Sequence, residues 1–241
     1  MKIEGKNAVR EAILSGKTIE KVMIQNGADS KDIHSLAKEH GVKVQFVHKQ
    51  VLDDLSITKK HQGIIALATD FNYSTISDIL NLAKSKNEDA FILLLDGVED
   101  PHNLGSVLRV AECAGVHGVI IPKDRAVGVT ETVVKVSSGA TERVKVAKVT
   151  NLNRAIEELK EKGVFVFAAD MDGEQMYKTN LTGNIGIVIG SEGFGVSALT
   201  RKKVDGIISI PMFGKINSLN ASVSAGVVVY EAVRQRNFNK R

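Results

Sequence analysis

The stretch Phe91-Ile92-Leu93-Leu94-Leu95 is apolar at every position. A strand with one wet face alternates in polarity. A strand apolar on both faces needs cover on both, which is how parallel sheets are built. Val119-Ile120-Ile121, Val164 to Ala168, Ile185 to Ile189 and Ile207 to Ile210 repeat the pattern, with Val144-Lys145-Val146 as a shorter strand. Between them run helical spacings at Asn103 to Gly115, Thr130 to Val136, Asn151 to Lys162, Val196 to Lys203 and Ala221 to Arg236. This alternation predicts an α/β fold: a mostly parallel sheet with helices on both faces.

A smaller α/β unit precedes it. Val22 to Gln25, Val42 to Val47 and Ile64 to Ala68 read as strands, and His61-Gln62-Gly63 as a turn. Asp29 to Glu39 reads as a helix, with Asp29 or Ser30 as its cap and Gly41 as its stop. The composition turns polar around Asp70 to Thr75 and again around Ser85 to Asp89, with a connecting helix between. The expected division is therefore a first domain at 1–70, a linker at 71–88 and a second domain at 89–241.

Composition narrows the function classes. Of 241 residues, 43% are apolar and 25% charged, which excludes a disordered or fibrous chain. The single Cys forbids an internal disulfide or a Cys-built zinc site and suits a reducing, cytoplasmic setting. The charged start Met1-Lys2-Ile3-Glu4-Gly5-Lys6 does not read as a signal peptide, and no apolar run is long enough for a transmembrane helix. Net charge is +4, spread evenly along the chain, which permits a nucleic-acid partner without requiring one. Arg234, Arg236, Lys240 and Arg241 cluster at the end and read as a solvated helix terminus.

Three polar stretches follow strands, where open α/β sheets place their sites. The first is Asp96-Gly97-Val98-Glu99-Asp100-Pro101-His102-Asn103, leading to Arg109. Asn103 reads as a helix N-cap. The acidic residues complement a helix N-terminus better than they make a metal site, so no metal is expected. The second is Ile187-Val188-Ile189-Gly190-Ser191-Glu192-Gly193-Phe194-Gly195. Its Gly193-Phe194-Gly195 with Ala198 mimics a dinucleotide fingerprint. The acidic residue required about 20 positions later is missing, so that reading fails. A Gly-rich loop with one carboxylate, Glu192, remains. The third is Ile208-Ser209-Ile210-Pro211-Met212-Phe213-Gly214 followed by Ser218-Leu219-Asn220-Ala221-Ser222. Ser218 or Asn220 reads as a helix cap. Backbone groups flanked by Ile210, Met212 and Leu219 would also suit an adenine ring.

Taken together, Asn103 with Arg109, the Gly190–Gly195 loop and the Ile208–Ser222 stretch resemble the three motifs of the SpoU/TrmH ribose methyltransferases of the SPOUT superfamily. Gly5-Lys6-Asn7-Ala8-Val9 and His61-Gln62-Gly63 resemble the small RNA-binding domain of the RlmB type. The resemblance implies transfer of a methyl group from S-adenosyl-L-methionine to a ribose 2′-oxygen of RNA, with a guanosine of 23S rRNA as the expected target. tRNA, or a catalytically silent role in ribosome assembly, are the alternatives. It also implies a deep trefoil knot and a homodimer through the second domain. Gly190, Ile210, Met212, Ser218 and Leu219 would hold the cofactor. Arg109 matches the catalytic arginine, while Asn103, Glu192, Asn220 and Ser222 match the other polar positions. A guanidinium keeps its proton, so Arg109 suits holding a phosphate or a developing oxyanion better than acting as a base. Lys6, Arg10, Lys17, Lys21, Lys59 and Lys60 would meet RNA phosphates.

Overall fold

The computed structural model describes residues 1–238, so Lys240 and Arg241 of the basic tail lie outside it. Two compact units form. One is Met1–Asn72 with Val127–Glu131; the other comprises Tyr73–Ala126 and the chain from Thr132 onward. Among the described residues no helix is long and apolar enough to cross a membrane.

The first unit runs β1 (Lys2–Glu4), α1 (Lys6–Leu14), β2 (Thr18–Gln25), α2 (Lys31–Glu39), β3 (Val44–Val47), α3 (Lys49–Leu55) and β4 (Ile64–Thr69). Its sheet has the order β1-β4-β2-β3, with only β2 and β3 parallel. β1, α1 and α3 go beyond the expected elements. α1 buries Val9, Ala12 and Ile13 on one face, but Gly5 precedes it and offers no capping side chain. The two motif fragments of this unit meet. The Gly5 amide donates to the Ile64 carbonyl, and the Lys6 amide donates to the Gln62 side chain. His61 is buried beneath the turn. Its Nδ1 accepts from the Gly63 amide at 3.0 Å, so its Nε2 carries the proton donated to Asp53 at 2.9 Å. That hydrogen bond holds the Asp53 carboxyl below its ordinary range. Glu4 pins the neighbouring loop by accepting from the Ser56 and Thr58 hydroxyls and the Ile57 and Thr58 amides. These bonds, led by the Thr58 hydroxyl, lower its pKa to about 2.

The second unit runs α4 (Ile76–Ser85), β5 (Phe91–Asp96), α5 (Pro101–Cys113), β6 (Gly118–Pro122), α6 (Glu131–Val136), β7 (Lys145–Val149), α7 (Leu152–Glu161), β8 (Phe165–Gln175), β9 (Ile185–Gly190), α8 (Ala198–Lys203), β10 (Gly206–Ser209) and α9 (Ala221–Phe238). The six strands pair in the order β10-β8-β9-β5-β6-β7, and every pairing is parallel. Ile92, Leu94, Ile120, Val166, Ala168 and Val188 point to one face and share a core with α4 and α7. The alternate residues Leu93, Leu95, Val119, Ile121 and Ile187 are equally buried and point to the other face, where α5 and α9 pack together.

The stretch expected as a linker, 71–88, carries part of this core. Thr75 and Asp78 form a reciprocal cap on α4, and Ile76, Ile79 and Ala83 are buried. A Cβ on Gly118 would lie 2.5 Å from the Ile79 side chain, so only glycine lets α4 close onto β6. The cap of α5 also differs from expectation. It is Asp100, which accepts from the His102 amide at 2.9 Å, with Pro101 in the first turn; Asn103 lies inside the helix. At the far end of α9, Arg236 is not a solvated tail residue. It donates to the carbonyls of Asp89 and Gly183 and sits 5.0 Å over the Phe91 ring. Gln235 accepts from the Leu181 amide at 2.8 Å and donates to the Thr179 carbonyl at 3.1 Å.

Candidate active site

From β5 the chain builds outward through β6 and β7. It then crosses to the other side of β5 to lay down β8 and β9. The resulting switch point lies between β5 and β9, where Asp96 and Gly190 stand side by side at the carboxyl ends. Loops leaving neighbouring strands in opposite directions open a crevice there.

The β9–α8 loop is a tight return. Ser191 and Gly195 exchange backbone hydrogen bonds of 3.1 and 3.0 Å, bringing the loop back onto its own strand. A Cβ on Gly190 would lie 2.1 Å from the Gly195 carbonyl carbon, so no other residue fits. Asp170, just past the part of β8 that pairs with β9, accepts from the Val196 amide and pairs with Arg201 at 2.8 Å. Arg201 also bonds Asp172, which lowers the Asp172 pKa and raises that of Arg201. Asp96 accepts from the Ser197 amide at 3.0 Å. Two strand ends therefore hold the start of α8.

Four expected polar residues form one network. Asn103 Nδ2 donates to Glu192 Oε1 at 3.0 Å. Asn220 Nδ2 donates to Asn103 Oδ1 at 3.0 Å and to the same Glu192 oxygen. The Ala221 amide adds a longer bond to that oxygen at 3.4 Å. Asn220 Oδ1 accepts from the Ser222 amide and hydroxyl at 2.9 and 2.7 Å, capping α9. Asn103 is buried, whereas Glu192, Asn220 and Ser222 are not. Arg109 stands apart. It is exposed and makes no hydrogen bond or ion pair among the described residues. Six residues along a helix rotate it about 240° from Asn103 and carry it about 9 Å along the axis.

Beside the network lies a cavity of about 370 Å³. Gly190, Ile210, Met212, Ser218 and Leu219 all line it, together with Asp170 and Glu192. The sequence reading did not single out Asp170. Its one signal was its place just after the apolar strand Val164–Ala168. A second cavity of about 720 Å³ opens on the other side of Glu192, over the ends of β5, β6 and β7. Among the described residues no three His, Cys, Asp or Glu side chains are grouped to hold a metal ion.

Comparison with known proteins fits this geometry. Residues 90–230 match the profile of the SpoU rRNA Methylase family, and residues 2–74 match the RNA 2′-O ribose methyltransferase substrate-binding family. YacO of Bacillus subtilis, assigned to the TrmH family of tRNA/rRNA methyltransferases, is 44% identical over 97% of this chain and 95% of its own. Among solved structures, the SpoU methyltransferase AviRb of Streptomyces viridochromogenes, determined with the cofactor AdoMet, aligns with a TM-score of 0.63. That alignment covers 98% of this chain and 89% of AviRb at 22% identity. An RNA 2′-O ribose methyltransferase aligns with a TM-score of 0.57 at 27% identity, over 98% of this chain and 88% of its own. The family profile covers more than half of the residues and a close relative spans nearly all of them, so the chain belongs to the SpoU rRNA methylase family.

Proposed function

We propose that the protein transfers a methyl group from S-adenosyl-L-methionine to a ribose 2′-oxygen of RNA, with a guanosine of 23S rRNA as the substrate. The observation that carries this reading is the cavity at Gly190, Ile210, Met212, Ser218 and Leu219, which opens directly beside the Asn103–Glu192–Asn220 network. The cavity suits the cofactor. Apolar side chains can flank an adenine, and the glycine cradle leaves backbone groups free to meet it. When bound, the cofactor supplies a sulfonium-activated methyl group, so no covalent nucleophile or metal is needed.

The protein's own groups would orient and stabilise. Asn103 and Asn220 fix the Glu192 carboxylate, which then orients the ribose hydroxyl. Arg109 has no hydrogen-bond or ion-pair partner among the described residues and is free to hold an RNA phosphate and steady the developing 2′-oxyanion. Residues 1–70 supply RNA affinity and 89–241 the chemistry. In the first unit Lys6 and Arg10 share Asp32, Lys17 pairs with Asp70, and Lys21 bonds Gln45. Such exposed pairs are weak and can be exchanged for phosphate contacts. The knot and the cytoplasmic homodimer through the second domain belong to the same reading. Exposed Val223 and Tyr230 on α9 offer an apolar contact for a second copy.

Deleting the gene and mapping ribose methylations across rRNA and tRNA tests the proposal. Loss of one 2′-O-methylguanosine in 23S rRNA, restored by purified protein with S-adenosylmethionine, is the expected result. Loss in tRNA instead would move the substrate to the class that also appears in the description of YacO. An unchanged map of both RNAs would leave only the assembly-factor role.

A further inference from the structure

The larger cavity has no part in the reading above. It shares Ser191, Glu192, Phe194, Gly195 and Ala221 with the smaller one, so the Glu192 network is the partition between them. Its volume of about 720 Å³ falls in the range that encloses small ligands. Val98, Leu152 and Leu199 give it apolar walls, and the 94% exposed Phe194 ring stands where the two cavities meet.

Its polar lining is one-sided. Asp96, Glu99, Asp100 and Asp124 face Arg125 as the lone cation. This charge repels phosphate. The carboxylates are not grouped to hold a metal ion. Asp100 is used as a helix cap and one Asp96 oxygen is taken by Ser197, but Glu99 and Asp124 have no hydrogen-bond partner among the described residues. Asn153 also lines this cavity, though its unpartnered Oδ1 is closed off from solvent. Free carboxylate oxygens in the lining ask for a ligand that donates hydrogen bonds and brings no anionic group into the cavity.

We infer that this cavity receives the base of the nucleotide being methylated and selects a base bearing an exocyclic amine. The inference rests on the methyl-transfer reading and adds a base subsite to it. Adenine, cytosine and guanine each present an NH₂ donor to carboxylate acceptors. Uracil would turn carbonyl oxygens toward them. With the base lodged over β5–β7, the ribose falls at the partition, its 2′-oxygen next to Glu192 and the methyl donor beyond.

The test uses the full-length protein with labelled methyl groups, saturated with S-adenosylhomocysteine so that the smaller cavity is filled. Two nucleoside pairs that differ in the exocyclic amine are titrated: cytidine against uridine, and guanosine against inosine. Expected are shifts of the Val98, Leu152 and Leu199 methyls, with the amine-bearing member of a pair binding about 5-fold more tightly, the worth of one net hydrogen bond. Asp124→Asn with Glu99→Gln should erase that preference. Leu199→Trp should block the nucleosides and leave S-adenosylhomocysteine affinity unchanged. If no nucleoside shifts these methyls, or paired nucleosides bind alike, the base subsite is wrong while methyl transfer stands. If S-adenosylhomocysteine fails to shift Ile210 and Met212, the methyl-transfer reading falls first.

Discussion

Asn220 does two jobs with one amide, and two substitutions separate them. Its Oδ1 caps α9, and its Nδ2 ties Asn103 to Glu192. In Asn220→Ala the lost cap costs about 1 kcal/mol. The lost Nδ2 bonds cost roughly another 1 kcal/mol, because water replaces them at an exposed position. The sum of about 2 kcal/mol lowers the melting midpoint by roughly 4–8 °C for a chain of this size. Asn220→Asp keeps the cap acceptor and adds a charge that suits a helix N-terminus, so it should melt within a few degrees of wild type. It also aims a carboxylate at Glu192 where an N–H used to point. Two touching carboxylates raise one another's pKa. Both variants should lose about 10²-fold in single-turnover methyl transfer near neutral pH, the scale expected for a misplaced reacting group. Only Asn220→Asp should recover as the pH falls and the carboxylate pair takes up a proton. Calorimetric melting, together with single-turnover rates at saturating cofactor across pH, reads both effects. Wild-type rates in Asn220→Asp at neutral pH would refute the reasoning and leave the amide as a helix cap alone.

Arg109→Ala should slow single-turnover transfer by about 10²-fold or more while calorimetry shows unchanged cofactor affinity. Arg109→Lys should rescue little at any pH; rescue that grows with pH would instead mark a base. Gly190→Ala must displace the Gly195 backbone and should weaken S-adenosylmethionine by about 10-fold or more in the same calorimetry, whereas undiminished affinity would mean the loop is not the cradle. Glu4 titrates at about 2 in the fold, below its ordinary 4.5. Its hold on Ile57 and Thr58 is therefore complete above about pH 4.5 and lost as the pH falls toward 2. Amide exchange at Ile57 should follow that window in wild type and lose it in Glu4→Gln. Sedimentation should give a dimer for the full chain and a shift toward monomer for Val223→Glu with Tyr230→Glu; a monomeric wild type would remove the dimer.

The strands of the second unit were legible because burial on both faces writes itself into consecutive residues, as in Phe91 to Leu95. The outer part of β8 was not. Asp170 to Glu174 has no apolar run, and its pairing with β10 lapses after Ala168 and resumes only at Glu174 and Gln175, across a register shift between Ile207 and Ile208. α1 and α3 were missed for want of a capping side chain and of length. The misplaced cap of α5 had a readable cue, since Asp100-Pro101 is a cap followed by a first-turn proline. At the site, motif spacing named Asn103, Glu192 and Asn220, but the contacts among them span up to 117 residues of sequence. Asp170 belongs to no motif, and only the folded loop shows its grip on Val196.

The end of α9 has a mechanical consequence. This helix of 18 residues is about 27 Å long. Asn220 clamps it at the crevice. Gln235 and Arg236 moor it at the opposite edge, to backbone between Thr179 and Gly183 and at Asp89. It is a strut fastened at both ends and buried along its middle at Ala225, Val228, Val229 and Ala232. Loss of the Gln235 and Arg236 bonds would therefore loosen the segment from Thr179 to Gly183 and the entry to β5 at Asp89, while the Asn220 end stays held by its own bonds and by the buried middle of the helix.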